Sequence, residues 1–149
     1  MAISLAVTPS GLRMRFTGVD RVAACSRGID VSFERIVGSR VMSRAEAVAS
    51  SPHVPCPGSW WPGRLRAGSW GIGERRQLWG VRRSPRVIVV YLSGRPFHRL
   101  VVDVEEPDRT HRVVEAALLH SKKTQARRSV RGLLSGPDAE GSGRSSTAP

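Results

Sequence analysis

The chain has 149 residues, of which 40% are hydrophobic and 24% are charged. A chain of this length fits one domain with a tail, and it can bury a sizeable core without disulfides or metal. Its two cysteines exclude a disulfide framework. No apolar run approaches the ~20 residues of a membrane span.

The positive charge indicates which partners the surface attracts. The chain carries 24 basic and 12 acidic residues, a formal net charge of +12, and 22 of the basic residues are Arg. Such a surface attracts phosphate polymers and anionic lipid head groups. A GC-rich genome, which favours Arg codons, is an alternative cause of the excess. Residues 1–15 do not resemble a signal peptide, so we expect a cytoplasmic protein, with the inner face of the membrane as a second location.

Alternating apolar residues predict strands in the first part of the chain. Residues 3–7 and 12–16 alternate on either side of a turn, which predicts a hairpin. Further strands are predicted over residues 29–33 and 36–42, the second with a kink or bulge at Gly38.

The middle of the chain predicts a loop and a second hairpin. Residues 43–58 form the longest predicted internal loop, in which residues 44–49 could make a short helix capped by Ser43. Three prolines follow and disfavour regular structure. Residues 60–70 and 77–81 then predict a hairpin with a tip rich in Gly and Arg.

The stretch from Val87 to Ala117 predicts the end of the fold. Residues 87–92 are apolar on both faces, as in a central buried strand, and residues 100–104 run back beside them. Two Glu, a Pro and an Asp then suit the first turn of a helix. The helix is predicted to end between Leu119 and Lys123, and its apolar stripe contains Val113, Val114, Ala117 and Leu118.

These elements predict a mainly β fold with one C-terminal α-helix. We expect about seven antiparallel strands in successive hairpins, forming a partly open barrel that the helix caps. The domain is placed at residues 1–122. Residues 123–149 are predicted to be a basic segment followed by a disordered tail rich in Gly, Ser and Pro.

The order of these segments resembles the pleckstrin-homology-like (PH-like) domain, and more narrowly the small stand-alone PH-like proteins of actinobacteria. The resemblance covers roughly residues 3 to 120. It rests on Leu12–Phe16, Gly18–Val22, Val31–Ile36, Gly58–Gly63, Gly68–Trp70, Leu78–Val81, Val87–Gly94, Arg99–Val102 and Glu105–Pro107. The resemblance implies a non-catalytic module that binds peptides, protein partners or acidic lipids, and it brings no catalytic residue to this chain.

Few residues suggest chemistry. The pattern Gly68-x-x-Gly71-x-Gly73 lacks the Lys-Ser/Thr and the helix of a phosphate loop, so we interpret it as a hairpin turn. His53 and Cys56 have ligand-like spacing, and Cys25 or His98 could join them, but no second close pair supports a metal site. Cys56 as a nucleophile with His53 as its base is also unsupported, because no carboxylate that would orient the histidine is evident in the sequence. We therefore predict no enzyme activity, no cofactor and no metal.

The cationic surface is the candidate binding feature. Seven Arg lie between residues 64 and 86 with a single acid, and Trp side chains among them could stack or insert at an interface. A second basic group lies on or after the helix. The candidate contacts are Arg64, Arg66, Trp70, Arg75, Arg76, Arg82, Arg83, Arg86, Lys122, Lys123, Arg127 and Arg128. A solvated Arg-rich surface is the alternative interpretation.

Three classes of partner fit these observations. The first is a protein partner, self-association or an anionic ligand, bound by a PH-like interaction module. The second is the anionic lipid of a membrane surface, bound peripherally through the Arg-rich surface. The third is nucleic acid, bound without sequence specificity, because the chain has no helix-turn-helix, RNA-recognition or zinc-finger signature.

Overall fold

Strands dominate the residues that the computed structural model describes. These are residues 3–18, 24, 27–52, 55–61 and 65–134, with the backbone alone described at 55–61 and 65. Within these ranges nine strands form two sheets, and a long helix follows the last strand. The mainly β fold with one C-terminal helix is therefore confirmed. The two sheets do not close into a complete barrel.

The first sheet contains three antiparallel strands in chain order. They are β1 (Ile3–Thr8), β2 (Gly11–Phe16) and β3 (Gly28–Ser32). Strands β1 and β2 are the predicted hairpin. The apolar residues of β2 are buried, while Arg13 and Arg15 lie on its other face and donate to Asp30 of β3 at 2.8 and 2.6 Å.

The second sheet contains six strands. They are β4 (Ile36–Ser43), β5 (Pro55–Trp61), β6 (Leu65–Trp70), β7 (Gln77–Val81), β8 (Arg86–Leu92) and β9 (Arg99–Val102). Their spatial order is β4-β8-β9-β7-β6-β5, and all neighbours are antiparallel except β7 and β9. The connectivity thus differs from a succession of hairpins, because β9 lies between β7 and β8. All four residues of β9 are buried, as expected for a strand that has a neighbouring strand on each side.

The predicted hairpin is present as β6 and β7, and its turn contains a short 3-10 helix at Gly73–Arg75. Its first arm, predicted over residues 60–70, is wrong in extent, because β5 ends at Trp61 and β6 begins at Leu65. Gly71 and Gly73 have φ values of 82° and 60°, a left-handed conformation that glycine adopts without steric cost. The Gly-rich pattern is therefore a hairpin turn, as predicted.

The predicted loop over residues 43–58 is partly wrong. Helix α1 (Arg44–Ala49) is present, and the Ser43 hydroxyl caps it by accepting a hydrogen bond from the Glu46 N–H at 3.1 Å. The prolines, however, do not prevent strand β5, which begins at Pro55. Strand β5 lies at the edge of the sheet, and an edge strand tolerates proline because its outer side has no neighbouring strand that needs a hydrogen-bond donor. The register between β5 and β6 also shifts beside Pro57.

Helix α2 (Pro107–Leu134) begins at the predicted proline but continues well past Lys123. The predicted end is wrong because residues 120–131 contain neither Pro nor Gly and are rich in Lys, Arg, Gln and Ala, which favour helix without tertiary contacts. Residues 123–134 of the predicted tail are thus helical. Residues 135–149 lie outside the described residues.

The apolar stripe of α2 differs from the prediction at one position. Val114 and Leu118 are buried, and Ala117 is half-buried against the same core. Val113 is 49% exposed, because it lies to one side of the face that touches the sheet.

The six-stranded sheet has a core on each face. One face packs against the three-stranded sheet and α2, and the other packs against α1. Gly80 of β7 lies where the two sheets meet most closely. A Cβ atom at this position would lie 2.6 Å from Cε of Met14 and 3.0 Å from side-chain atoms of Ile3 and Phe16.

We expect Gly80→Ala to lower the free energy of unfolding by about 1–3 kcal/mol, because the added methyl group overpacks the contact between the sheets. The control is Gly38→Ala in β4, where a Cβ would meet no atom within 4 Å. It should change stability by no more than about 0.5 kcal/mol. Denaturant unfolding measures both, and equal losses in the two variants would contradict this view of the sheet contact.

A second prediction concerns the start of α2, where Arg86 donates to both carboxylate oxygens of Asp108 at 2.6 and 2.9 Å. These bonds hold the pKa of Asp108 below its ordinary value. A lowered pKa in the folded state means that the stabilisation is present above the unfolded pKa of about 3.9 and is lost as the pH falls below it. Asp108→Asn should therefore lower the melting temperature at neutral pH.

The difference between Asp108→Asn and the parent should shrink as the pH falls below about 4, when the carboxylate becomes protonated. Thermal unfolding over a series of pH values measures this. Glu105→Gln is the matched control, since no ion pair of Glu105 is present among the described residues. A loss that does not depend on pH would show that the ion pair is not its cause.

Candidate anion-binding surface

The predicted basic residues of the β6–β8 region do not form one face. Arg75 and Arg76 lie in the turn before β7, whereas Arg82, Arg83 and Arg86 lie after it. Five strand residues separate the two groups by roughly 15 Å. The two groups therefore occupy opposite ends of the sheet. Arg64 lies outside the described residues.

The first end is formed by loop 71–76, loop 93–98 and the 3-10 turn 33–35, and we call it the basic end. His98 donates its backbone N–H to the Arg76 carbonyl at 3.0 Å, and Ser93 donates to the Arg35 carbonyl at 2.7 Å. Arg75 is exposed, while Arg76 is half-buried, with its guanidinium carbon 5.2 Å from the Phe97 ring centroid.

At the opposite end, carboxylates engage the basic segment. Asp108 binds Arg86, and Asp103 accepts hydrogen bonds from the backbone N–H groups of Arg82 and Ser84 at 3.3 and 3.2 Å. The side chains of Arg82 and Arg83 are exposed. Acids thus offset part of the positive charge at this end.

Residues 122–134 of α2, which we call the α2 extension, are all exposed and project from the basic end. They form about 20 Å of helix. A groove of about 450 Å³ separates α2 from the body, with Thr124 and Arg128 on one wall and Phe33 and Glu34 on the other. None of the described helices has an apolar stretch long enough to cross a membrane.

The α2 extension combines positive charge with exposed apolar side chains. It contains five basic residues and no acid. The basic residues are Lys122, Lys123, Arg127, Arg128 and Arg131. Val130, Leu133 and Leu134 are 57%, 83% and 83% exposed. The α2 extension thus presents cationic and apolar side chains together on one exposed helix.

Arg66 and Trp70 are buried, contrary to their predicted role as surface contacts. Arg66 is 3% exposed and Trp70 is 4% exposed. The guanidinium carbon of Arg66 lies 4.0 Å from the ring centroid of Trp70 and 4.1 Å from that of Trp79. The strand period explains this, because alternate residues of β6 face the core beneath α1.

Arg99 is a second buried arginine on this face, 4% exposed. Sequence reasoning missed it, although the signal was present: Arg99 and Val101 alternate with Leu100 and Val102 in a strand that is apolar on both faces. Its Nη1 donates to the Ser50 hydroxyl at 3.0 Å, and Nη2 contacts the Met42 sulfur at 3.4 Å.

The electrostatics of this buried pair are unfavourable. Burial lowers the pKa of Arg66 to about 10, and the positive charges of Arg99 and Arg44 add to that effect. Burial also lowers the pKa of Arg99, against the opposing effects of Tyr91 and Glu46. Removing a charged group from water costs several kcal/mol, whereas a desolvated cation–π contact returns about 2 kcal/mol.

One group of side chains resembles a catalytic constellation. The Ser39 hydroxyl lies 2.8 Å from Nδ1 of His111 and donates to Oε1 of Glu115 at 2.7 Å. Because the single hydroxyl proton points to Glu115, Nδ1 of His111 must be the donor to Ser39. In a Ser-His-acid triad the serine donates to the histidine and the acid binds the other ring nitrogen. The group instead fastens α2 to β4.

The metal and thiol candidates remain predictions. His53 and Cys25 lie outside the described residues, and only the backbone of Cys56 is described. Nδ1 of His98 lies 2.9 Å from the Arg76 carbonyl. Among the described side chains, no three His, Cys, Asp or Glu residues are grouped as metal ligands.

Comparison with known proteins finds no family model, no curated protein and no solved structure that matches this chain.

Proposed function

We propose that the protein is a non-catalytic interaction module that binds the anionic lipid of a membrane surface through the α2 extension. The observation that carries the proposal is an exposed helix with five basic residues, no acid and an apolar stripe. The mainly β body closed by a helix supports the PH-like class as part of the same proposal. The inner face of the membrane is the corresponding location.

The direction of the apolar stripes supports this proposal. At 100° per residue, Leu119, Ala126, Val130 and Leu133 lie roughly 110° around the helix from the stripe that contains Val114 and Leu118. The apolar side of the first half of α2 thus faces the body, whereas the apolar side of the second half is rotated to one side and stays exposed. A membrane interface provides apolar cover for that exposed stripe and anionic head groups for the flanking Lys and Arg.

The magnitude is sufficient for reversible binding. A Lys or Arg close to an anionic bilayer contributes about 1 kcal/mol, so five contribute roughly 5 kcal/mol. Insertion of the exposed apolar residues at the end of the helix adds to this. Arg75 and the 72% exposed Ile72 lie at the basic end, from which the helix projects, and they offer a second contact of the same kind.

The test is sedimentation with vesicles of phosphatidylcholine alone and of phosphatidylcholine mixed with phosphatidylglycerol. We expect binding to the mixed vesicles only, weakening as salt increases. Lys122→Gln combined with Lys123→Gln, which flank the exposed apolar stripe, should weaken binding about 30-fold, since two charges are lost. Arg82→Gln combined with Arg83→Gln removes the same charge at the opposite end and should leave binding nearly unchanged.

Three results would contradict the proposal. Equal binding to neutral and anionic vesicles would exclude charge recognition, and equal losses in the two double variants would exclude the α2 extension as the site. Tighter binding to duplex DNA than to anionic vesicles at the same salt concentration, with a steep salt dependence, would favour the nucleic-acid alternative. Circular dichroism checks that each variant is folded.

A further inference from the structure

The face of the six-stranded sheet beneath α1 contains two almost fully buried guanidinium groups, those of Arg66 and Arg99. Their hydrogen-bonding partners are neutral. Arg66 donates to the Pro52 carbonyl at 2.9 Å, and Arg99 donates to the backbone and hydroxyl oxygens of Ser50 at 3.3 and 3.0 Å. These bonds hold the segment after α1 against the sheet, but they do not neutralise either charge.

The chain around Arg66 is poor in acidic residues. Residues 47–73, which include β5 and β6, contain no Asp or Glu. Glu46 of α1, whose charge opposes the lowering of the Arg99 pKa, is exposed and paired with Arg40 at 3.5 Å. Among the described residues neither buried arginine has a carboxylate within ion-pair distance. The positive charge of the pair is therefore offset only in part within this part of the molecule.

Hydrogen-bond donors are also left over at this site. Nε of Arg66, Nε of Arg99 and Nε1 of Trp70 are buried, and none has an acceptor among the described residues. A buried donor without an acceptor costs free energy, and it is most often satisfied by a water molecule or an ion. Three such donors, two of them on positively charged groups, favour an acceptor that is itself negative.

We propose that a small inorganic anion, a halide or a phosphate, binds beneath α1 to Arg66 and Arg99. The anion accepts from donors that the chain leaves unpaired and offsets the repulsion between the two guanidinium groups. Because it binds the folded chain only, it raises stability by mass action. This site lies in the core beneath α1, and it does not depend on the proposed membrane contact of the α2 extension.

The experiment is thermal unfolding with increasing chloride or phosphate, at constant ionic strength maintained by gluconate, a larger anion than either. The comparison of chloride with phosphate identifies the anion. We expect a saturable rise in melting temperature, of roughly 5–10 °C at a hundredfold excess over the dissociation constant. Arg99→Met should abolish the rise. Arg82→Met, which removes an exposed charge, should retain it.

A rise that persists unchanged in Arg99→Met and in Arg66→Met would overturn the proposal, as would no rise in the parent with either anion. Crystals of the unmodified protein soaked in bromide provide a measurement that does not depend on a variant that folds. An anomalous peak within hydrogen-bonding distance of Nε of Arg66 or of Arg99 would support the site. Its absence at a bromide concentration that stabilises the protein would refute it.

Discussion

The burial of both faces of β7, β8 and β9 is the constraint on which the rest of the structure depends. Each face of the six-stranded sheet needs a separate layer of structure to cover it, and the two layers consist of different elements. The three-stranded sheet and α2 supply one, and they pack so closely that a Cβ at position 80 of β7 would require neighbouring side chains to shift. The other contains α1, which has only six residues. Arg66 and Arg99 extend the cover with their long apolar stems, and this explains why charged residues lie in the core.

The surplus of arginine has three different physical roles. Arg13, Arg15 and Arg86 bind carboxylates at the surface, and two others stack within the core. In the α2 extension the basic side chains are exposed, and no acid follows Glu115 within the helix. Net charge alone does not distinguish these roles. Exposed positive charge is also present at Arg75, Arg82 and Arg83, but the α2 extension combines five basic residues with no acid.

Sequence patterns predicted most elements of the fold, because period-two alternation and helix-start chemistry are local signals. The β1–β2 hairpin, the central strand at Val87 and the start of α2 at Pro107 are all as predicted. The position of β9 between β7 and β8 depends on contacts distant in sequence, which local patterns do not contain. The end of α2 depends on helix propensity where no core contact marks a boundary. The sequence identified the basic residues but not their arrangement in space. Strand β7 separates the arginines before it from those after it, so the two groups lie at opposite ends of the sheet.

The two outer strands of the six-stranded sheet are protected in different ways. On β4, Glu115 of α2 accepts the backbone N–H of Ser39 at 3.0 Å, so the helix occupies part of the row that a further strand would use. On β5, Pro55 and Pro57 have no N–H to offer. Neither edge therefore presents an unbroken series of donors and acceptors to another chain. We therefore expect the sheet to resist growth by strand addition even at salt concentrations that screen the net charge of +12.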